Sequence, residues 1–167
     1  MIDSKGLIKW LRGIDKKLQR EIIIVAVGGT AMTLLGIKPS TIDIDFCVSS
    51  SDKRMLEQNL DGKFKVDIFI DGFIFSEQLP DDYAEKSTVI LELKNITLKA
   101  LSPVDIVITK CARLNARDEE DIKSLAKKIN RSELLERFES VIGTYSGRSE
   151  NYRKNFEYIL RMHFPEK

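Results

Sequence analysis

The 167 residues include a single histidine and only two cysteines, Cys47 and Cys111. That scarcity excludes a zinc site built from Cys and His at the usual spacings, and it excludes a disulfide framework, so both thiols are expected to be buried. Long hydrophobic runs are also missing. No stretch approaches the about 18 consecutive apolar residues that a membrane span requires, which argues against any membrane role. The N-terminal MIDSKGLIKWLRGIDKK interleaves charges with apolar residues and lacks the uninterrupted apolar core of a secretory signal. It reads as mature structure of a soluble, cytoplasmic protein. An excess of one charge is absent too: 27 Lys and Arg stand against 26 Asp and Glu. With a net charge of +1 there is no global attraction to polyanions, and any such contact must come from a local patch. No internal repeat or low-complexity segment is present. What remains is an ordinary globular composition, long enough for one domain with a helical appendage.

Apolar positions Leu7, Leu11, Ile14 and Leu18 recur at helical spacing behind Ser4, which is expected to cap that helix. EIIIVAV follows, an almost wholly apolar β-branched run that reads as a buried strand halted by Gly28 and Gly29, and TAMTLLG then reads as a short helix. From Thr41 to Val48 the residues alternate, Ile42, Ile44, Phe46 and Val48 on one face and Thr41, Asp43, Asp45 and Cys47 on the other, as in a half-buried strand. SSSDKRMLEQNL reads as a capped helix. FKVDIFI and GFIF meet at Asp71-Gly72, and STVILEL and ITLKAL at Lys94-Asn95, each pair patterned as a hairpin. Ser102-Pro103-Val104-Asp105 opens a helix with a cap, a first-turn proline and an acid three residues on, and helices are expected at roughly 118–129, 132–145 and 150–162. The chain therefore divides into a mixed region, 1–101, and a helical region, 102–167. Trp10 reads as packing and His163 as exposed. Tyr145, Tyr152, Phe156 and Tyr158, interleaved with Arg148, Arg153 and Lys154, read as helix packing ahead of a base-stacking surface.

Two carboxylates at i and i+2 on a strand share a face about 7 Å apart. At an effective dielectric of about 20 their repulsion amounts to roughly 2 kcal/mol, and a divalent cation that prefers oxygen ligands relieves it. A solvated strand face carries such pairs as well, so Asp43 and Asp45 alone decide nothing. Gly28-Gly29 between a strand and a helix lets the backbone approach a ligand and presents N–H groups suited to phosphate, with the Thr30 hydroxyl beside them. A tight turn with no ligand has the same appearance.

The combination carries more. The order strand, Gly-Gly-Thr, short helix, Asp-Ile-Asp-Phe, then Val-Asp-Ile-Phe resembles the nucleotidyltransferase superfamily related to DNA polymerase β. The match is VGGTAMTLLGIKPSTIDIDF, with 13 residues between Gly29 and Asp43, at the long end of the pattern. It is closest to the small prokaryotic group that includes the abortive-infection toxin nucleotidyltransferases, in which Ala follows the glycine pair and Thr precedes the Asp-x-Asp; here these are Ala31 and Thr41. The later stretch LSPVDIVITKCARLNARDEEDI resembles the same group, with Lys110, Arg113, Arg117, Asp118 and Asp121 at the matching positions. Lys38 stands where that group often has arginine.

The resemblance implies an α+β fold with a mixed, mostly antiparallel sheet, its acids on one face and helices on the other, and a C-terminal helical bundle packed on the core. It implies Mg²⁺ or Mn²⁺ held by Asp43, Asp45 and Asp67, the third acid, and a nucleoside triphosphate bound by Gly28, Gly29, Thr30, Thr41, Lys110 and Asp118. The nucleoside monophosphate would pass to a hydroxyl acceptor, on tRNA or on a protein, in a role of toxin-antitoxin type. Two other readings stay open: an inactive nucleotidyltransferase-like binding or antitoxin module, and an RNA-binding protein.

Overall fold

Helix α1 spans Ser4–Asp15 in the computed structural model, which describes residues 1–167. Its cap is Asp3, not the expected Ser4: Asp3 is extended and its carboxylate accepts the Gly6 N–H at 2.8 Å. The apolar stripe is as anticipated, with Leu7, Leu11 and Ile14 buried, and Trp10 stacks on Phe46 at 6.4 Å while its indole N–H donates to Asp61. At the far end the buried Asp15 accepts the N–H groups of Asn95 and Ile96 at 2.7 and 2.9 Å, tying the helix to a distant turn.

The chain forms two compact units, residues 1–72 with 81–101, and residues 73–80 with 102–167. In the first, α1 is followed by β1 (Ile22–Ala26), α2 (Gly28–Leu34), β2 (Ile44–Val48), α3 (Ser50–Gln58) and β3 (Val66–Ile70). Residues 73–80 carry β4 (Phe73–Ile74) and β5 (Glu77–Gln78), which pair antiparallel in the second unit. The first unit closes with α4 (Tyr83–Lys86), β6 (Thr88–Glu92) and β7 (Ile96–Ala100). Its strands lie in the order β3-β2-β1-β7-β6. β1 runs antiparallel to β2 and parallel to β7, β2 runs parallel to β3, and β6 and β7 form the expected antiparallel hairpin. The fold is α+β with mixed strand pairing, as the sequence implies. At Asp71-Gly72 both residues have positive φ, 51° and 79°, the backbone that this dipeptide was expected to supply.

Two strand expectations need correction. β2 begins at Ile44, not Thr41, because the Thr41 backbone pairs instead with Ile2 at 2.8 and 2.9 Å; Ile42 is consequently 64% exposed. β1 is not wholly buried: Ile23 is 48% exposed, since it lies on the acid-bearing face, at the end of the strand away from the glycines.

The second unit continues with α5 (Pro103–Cys111), α6 (Ala116–Leu125), α7 (Arg131–Ile142) and α8 (Ser149–His163). Ser102 caps α5 as expected, but the acid three residues on serves another end: Asp105, fully buried, receives a two-pronged bond from Arg137 of α7 at 2.6 and 2.9 Å. α6 starts earlier than expected, capped by Asn115, and Asp118 is the third helical residue, returning a bond to the Asn115 N–H in a capping box. Phe138 stacks flat on Phe156 at 3.8 Å, and Tyr152 donates its hydroxyl to the Ile108 carbonyl. These aromatics are core, so base stacking on Tyr152 and Phe156 is ruled out. His163 is not exposed; its ring lies 3.2 Å from Glu119 with the side chain 12% exposed. Cys47 and Cys111 are both buried free thiols, as expected.

Candidate active site

The antiparallel register of β1 and β2 decides where the glycines sit. Val25 faces Cys47 and Ala26 faces Phe46, and the Val27 N–H donates to the Asp45 carbonyl at 3.0 Å. The chain then turns at once into α2, so Gly29 comes against Thr41 and Thr30 against Asp43 and Asp45, although 13 residues separate Gly29 from Asp43 in the chain. Gly28 has φ of +54°, a conformation a Cβ disfavours, and a Cβ on Gly29 would meet the Thr41 hydroxyl at 3.2 Å. Backbone shape thus favours glycine at position 28, and Thr41 crowds any side chain at position 29.

Thr30 closes the arrangement. Its hydroxyl donates to the Asp43 carbonyl at 3.2 Å and accepts the Asp45 N–H at 3.0 Å, while the Thr41 hydroxyl donates to the same Asp43 carbonyl at 2.8 Å. The first turn of α2 is thus bonded to the backbone on either side of Ile44. Thr30 is fully buried. Thr30→Val keeps the volume but takes away the acceptor of the Asp45 N–H, while Thr41 still bonds the Asp43 carbonyl, so we expect a loss of about 1–3 kcal/mol in stability, with Thr30→Ser close to wild type. Urea unfolding of both variants checks this, and an unchanged Thr30→Val midpoint would remove the clamp from the argument.

Asp45 and Asp67 are partners in the parallel register of β2 and β3, which places both side chains on one face of the sheet, opposite Phe46 and Trp10. Asp43 is exposed just before β2, and Asp67 is exposed with Lys65 at 3.9 Å. No group of three His, Cys, Asp or Glu side chains is arranged to hold a metal by itself. The donor set nonetheless suits Mg²⁺, which retains waters and usually takes one or two carboxylates together with substrate phosphates.

Further along the same face, beyond Asp45, a pocket of about 530 Å³ is lined by Ile23, Val25, Cys47, Tyr83 and Thr97. The Cys47 thiol donates to the Tyr83 hydroxyl, and burial pushes its pKa up, so it stays protonated and is no nucleophile.

Lys110 and Asp118 lie in the helical unit, engaged with each other. The Lys110 ammonium, 4% exposed, sits 2.9 Å from Asp121 and 3.3 Å from Asp118, and Arg113 forks onto Asp118 at 2.9 and 3.0 Å. Burial opposes ionisation of Asp118, but the Arg113 bonds and the charges of Lys110 and Arg113 outweigh it and hold its carboxyl below the ordinary range. Sequence reasoning did not find the Thr30 clamp, the Asp105–Arg137 pair or the buried Glu77. The first two depend on partners 13 or more residues away, and Glu77 lies in FSEQLP, which has no periodic pattern.

Among curated proteins none matches this sequence. Solved structures similar to it include the antibiotic-resistance factor ANT(2'')-Ia in solution, at 12% identity and a TM-score of 0.58 over 96% of each chain. A crystal structure of ANT(2'')-Ia in complex with adenylyl-2''-tobramycin is similar at 12% identity and a TM-score of 0.57, over 92% of this chain and 98% of that one. At that identity the likeness is one of fold. A family match takes in residues 5–165: the chain belongs to the family described as nucleotidyltransferase of unknown function (DUF6036).

Proposed function

We propose that this chain transfers a nucleoside monophosphate from a nucleoside triphosphate to a hydroxyl acceptor, with Asp43, Asp45 and Asp67 as its reacting carboxylates. The observation that carries this reading is the pairing of Asp45 with Asp67 across β2 and β3, beside a glycine turn bonded to the Asp43 and Asp45 backbone. Asp43 and Asp45 hold the divalent cation that arrives with the triphosphate, and Asp67 binds on the acceptor side. Mg²⁺ or Mn²⁺, when bound, offsets the phosphate charge and lowers the barrier to attack at phosphorus. Gly28 and Gly29 bring backbone N–H groups against the outer phosphates. The acceptor oxygen forms a bond to the α-phosphorus, the bond from that phosphorus to the bridging oxygen breaks, and pyrophosphate leaves. The hydroxyl proton passes to Asp67 or through it to water. The pocket beyond Asp45 offers an apolar surface for the flat or hydrophobic part of a substrate. Thr30 and Thr41 act as positioning residues through the backbone they bind. Lys110 and Asp118 contribute by keeping the helical unit folded.

The acceptor belongs to one of three classes: a tRNA end, a protein hydroxyl as a toxin-type role would need, or a small molecule of the kind ANT(2'')-Ia holds in adenylylated form. The test is incubation with each of the four α-labelled nucleoside triphosphates, Mg²⁺ and a cell lysate, followed by separation into RNA, protein and small-molecule fractions. We expect label in one fraction from one preferred nucleotide, abolished by EDTA. Absence of transfer with all four nucleotides, or transfer indifferent to EDTA, would overturn the reading.

A further inference from the structure

Helix α1 presents an apolar stripe to the core and a stripe of one charge to solvent. Lys5, Lys9, Arg12 and Lys16 are all exposed and follow one another at steps of four, three and four residues, opposite the buried Leu7, Leu11 and Ile14. The row is about 17 Å long at the helical rise. None of the four is in an ion pair. The helix has no acid in its first turn, and its one acid, Asp15, is buried and bonded to the Asn95 and Ile96 N–H groups. Like charges at these spacings repel one another, and Lys5 stands at the positive end of the helix. With 27 Lys and Arg against 26 Asp and Glu, the chain has acids enough to intersperse, so the row is a feature the fold itself gains nothing from.

One flank of the row is open. Gly13 is exposed in mid-helix without positive φ, and a Cβ there would meet nothing within 4 Å, so neither crowding nor turn geometry requires the glycine. Beyond it, on the side of Trp10 and Lys17, stands Phe64. Its ring is partly exposed, meets Trp10 edge to face at 5.6 Å, and has the Lys63 ammonium 5.4 Å from its centre. Asp61, the acid of this flank, accepts the Trp10 indole N–H and the Lys63 N–H, with the charge of Lys17 acting on it. The missing side chain at Gly13 therefore leaves a gap between a row of cations and an aromatic ring, all within the first unit.

The chemistry selects the occupant. An anionic membrane finds no anchor, because α1 exposes no large apolar side chain and its apolar stripe is buried in the core. An acidic peptide meets the cations but brings nothing flat to the ring. A nucleic-acid strand brings both, a repeating row of phosphates and bases that stack on aromatic faces, and only an unpaired strand has its bases free to do so.

We propose that the outer face of α1 binds single-stranded nucleic acid without sequence preference, its phosphates on Lys5, Lys9, Arg12 and Lys16, its backbone passing Gly13, and one base on Phe64. Trp10 and Phe46 lie on the side of the sheet opposite Asp45 and Asp67, so this surface is separate from the proposed reaction site and does not rest on nucleotidyl transfer.

Fluorescence anisotropy of a labelled oligouridylate of about 12 nucleotides tests this with the full chain, without Mg²⁺ or triphosphate. Four phosphate contacts give log affinity against log salt a slope of about −3, so binding should weaken about 50-fold between about 50 and 200 mM salt. Lys9→Gln/Arg12→Gln should halve that slope and melt no lower than the wild type, since it removes only repulsion. Phe64→Leu should weaken binding about 10-fold at unchanged slope, because stacking releases no counterions. An abasic strand should show the same loss with the wild-type protein, which decides the point should Phe64→Leu fold poorly. No binding at low salt, an unchanged slope in the Gln variant, an abasic strand bound as tightly as oligouridylate, preference for a duplex of the same length, or equal competition by poly-glutamate at equal charge would each overturn the proposal.

Discussion

Asp45→Asn should lower nucleotidyl transfer at least about 100-fold while leaving the protein folded and no less stable than wild type. The loss is large because the carboxylate is proposed to act on charge at the reacting phosphate, where one ligand has most of its effect in the transition state. Stability should hold because Asp45 is only half-buried and faces Asp67 directly across two parallel strands. Replacing one of two like charges relieves roughly 2 kcal/mol of repulsion at an effective dielectric of about 20. The metal-free variant is thus expected to melt at or above the wild-type temperature. Mg²⁺ with nucleotide should raise the wild-type melting temperature, since a ligand of the native state must do so, and raise that of the variant less. Asp43→Asn should behave alike in transfer. A folded Asp45→Asn protein with wild-type transfer, or with an undiminished response to Mg²⁺ and nucleotide, would remove the carboxylates from the chemistry.

Lys110→Ala has the opposite signature: a large loss of stability. The ammonium is 4% exposed between Asp118 and Asp121, whose side chains are 3% and 11% exposed. Its removal takes away the one ammonium that bonds both of these buried carboxylates, and breaking a buried pair in this way costs about 3–5 kcal/mol, or roughly 10 °C in Tm. Lys110→Met, which keeps the stem, should lose nearly as much. The pH dependence follows from Asp118. Its folded pKa is depressed below the ordinary 3.8, so its contribution is present above that value and lost as pH falls through the folded one. Without Lys110 the depression shrinks, and the acid-induced loss should begin at a higher pH than in the wild type. Melts at neutral and acid pH measure both effects. An unchanged Tm with triphosphate binding weakened more than monophosphate binding would instead place Lys110 on the nucleotide.

These two variants separate positions that looked alike in the linear chain. Lys110 and Asp118 follow the same resemblance as Asp43 and Asp45, yet their side chains meet one another inside a helical unit, because charged groups taken out of water must be paired. No local pattern reveals such pairing. A cap acid such as Asp105 has the same sequence signature whether it turns back on its own helix or, as here, reaches Arg137.

By itself the sequence determined most of the elements and the nucleotidyltransferase resemblance. Periodicity 3.6 marks α1 and the later helices, alternation marks β2 though not its burial on both faces, Asp71-Gly72 marks the turn, and Gly-Gly-Thr with Asp-Ile-Asp carries the superfamily resemblance, because each of these signals is local backbone chemistry. The tertiary structure alone decided which of those residues meet. Strand register set Asp67 against Asp45, the Ile2 pairing started β2 late, at Ile44, and Thr30 turned from a candidate phosphate ligand into a clamp on the Asp43 and Asp45 backbone. Register and burial depend on partners far apart in the chain, and a period of two in one strand specifies a face without naming the strand that will lie beside it.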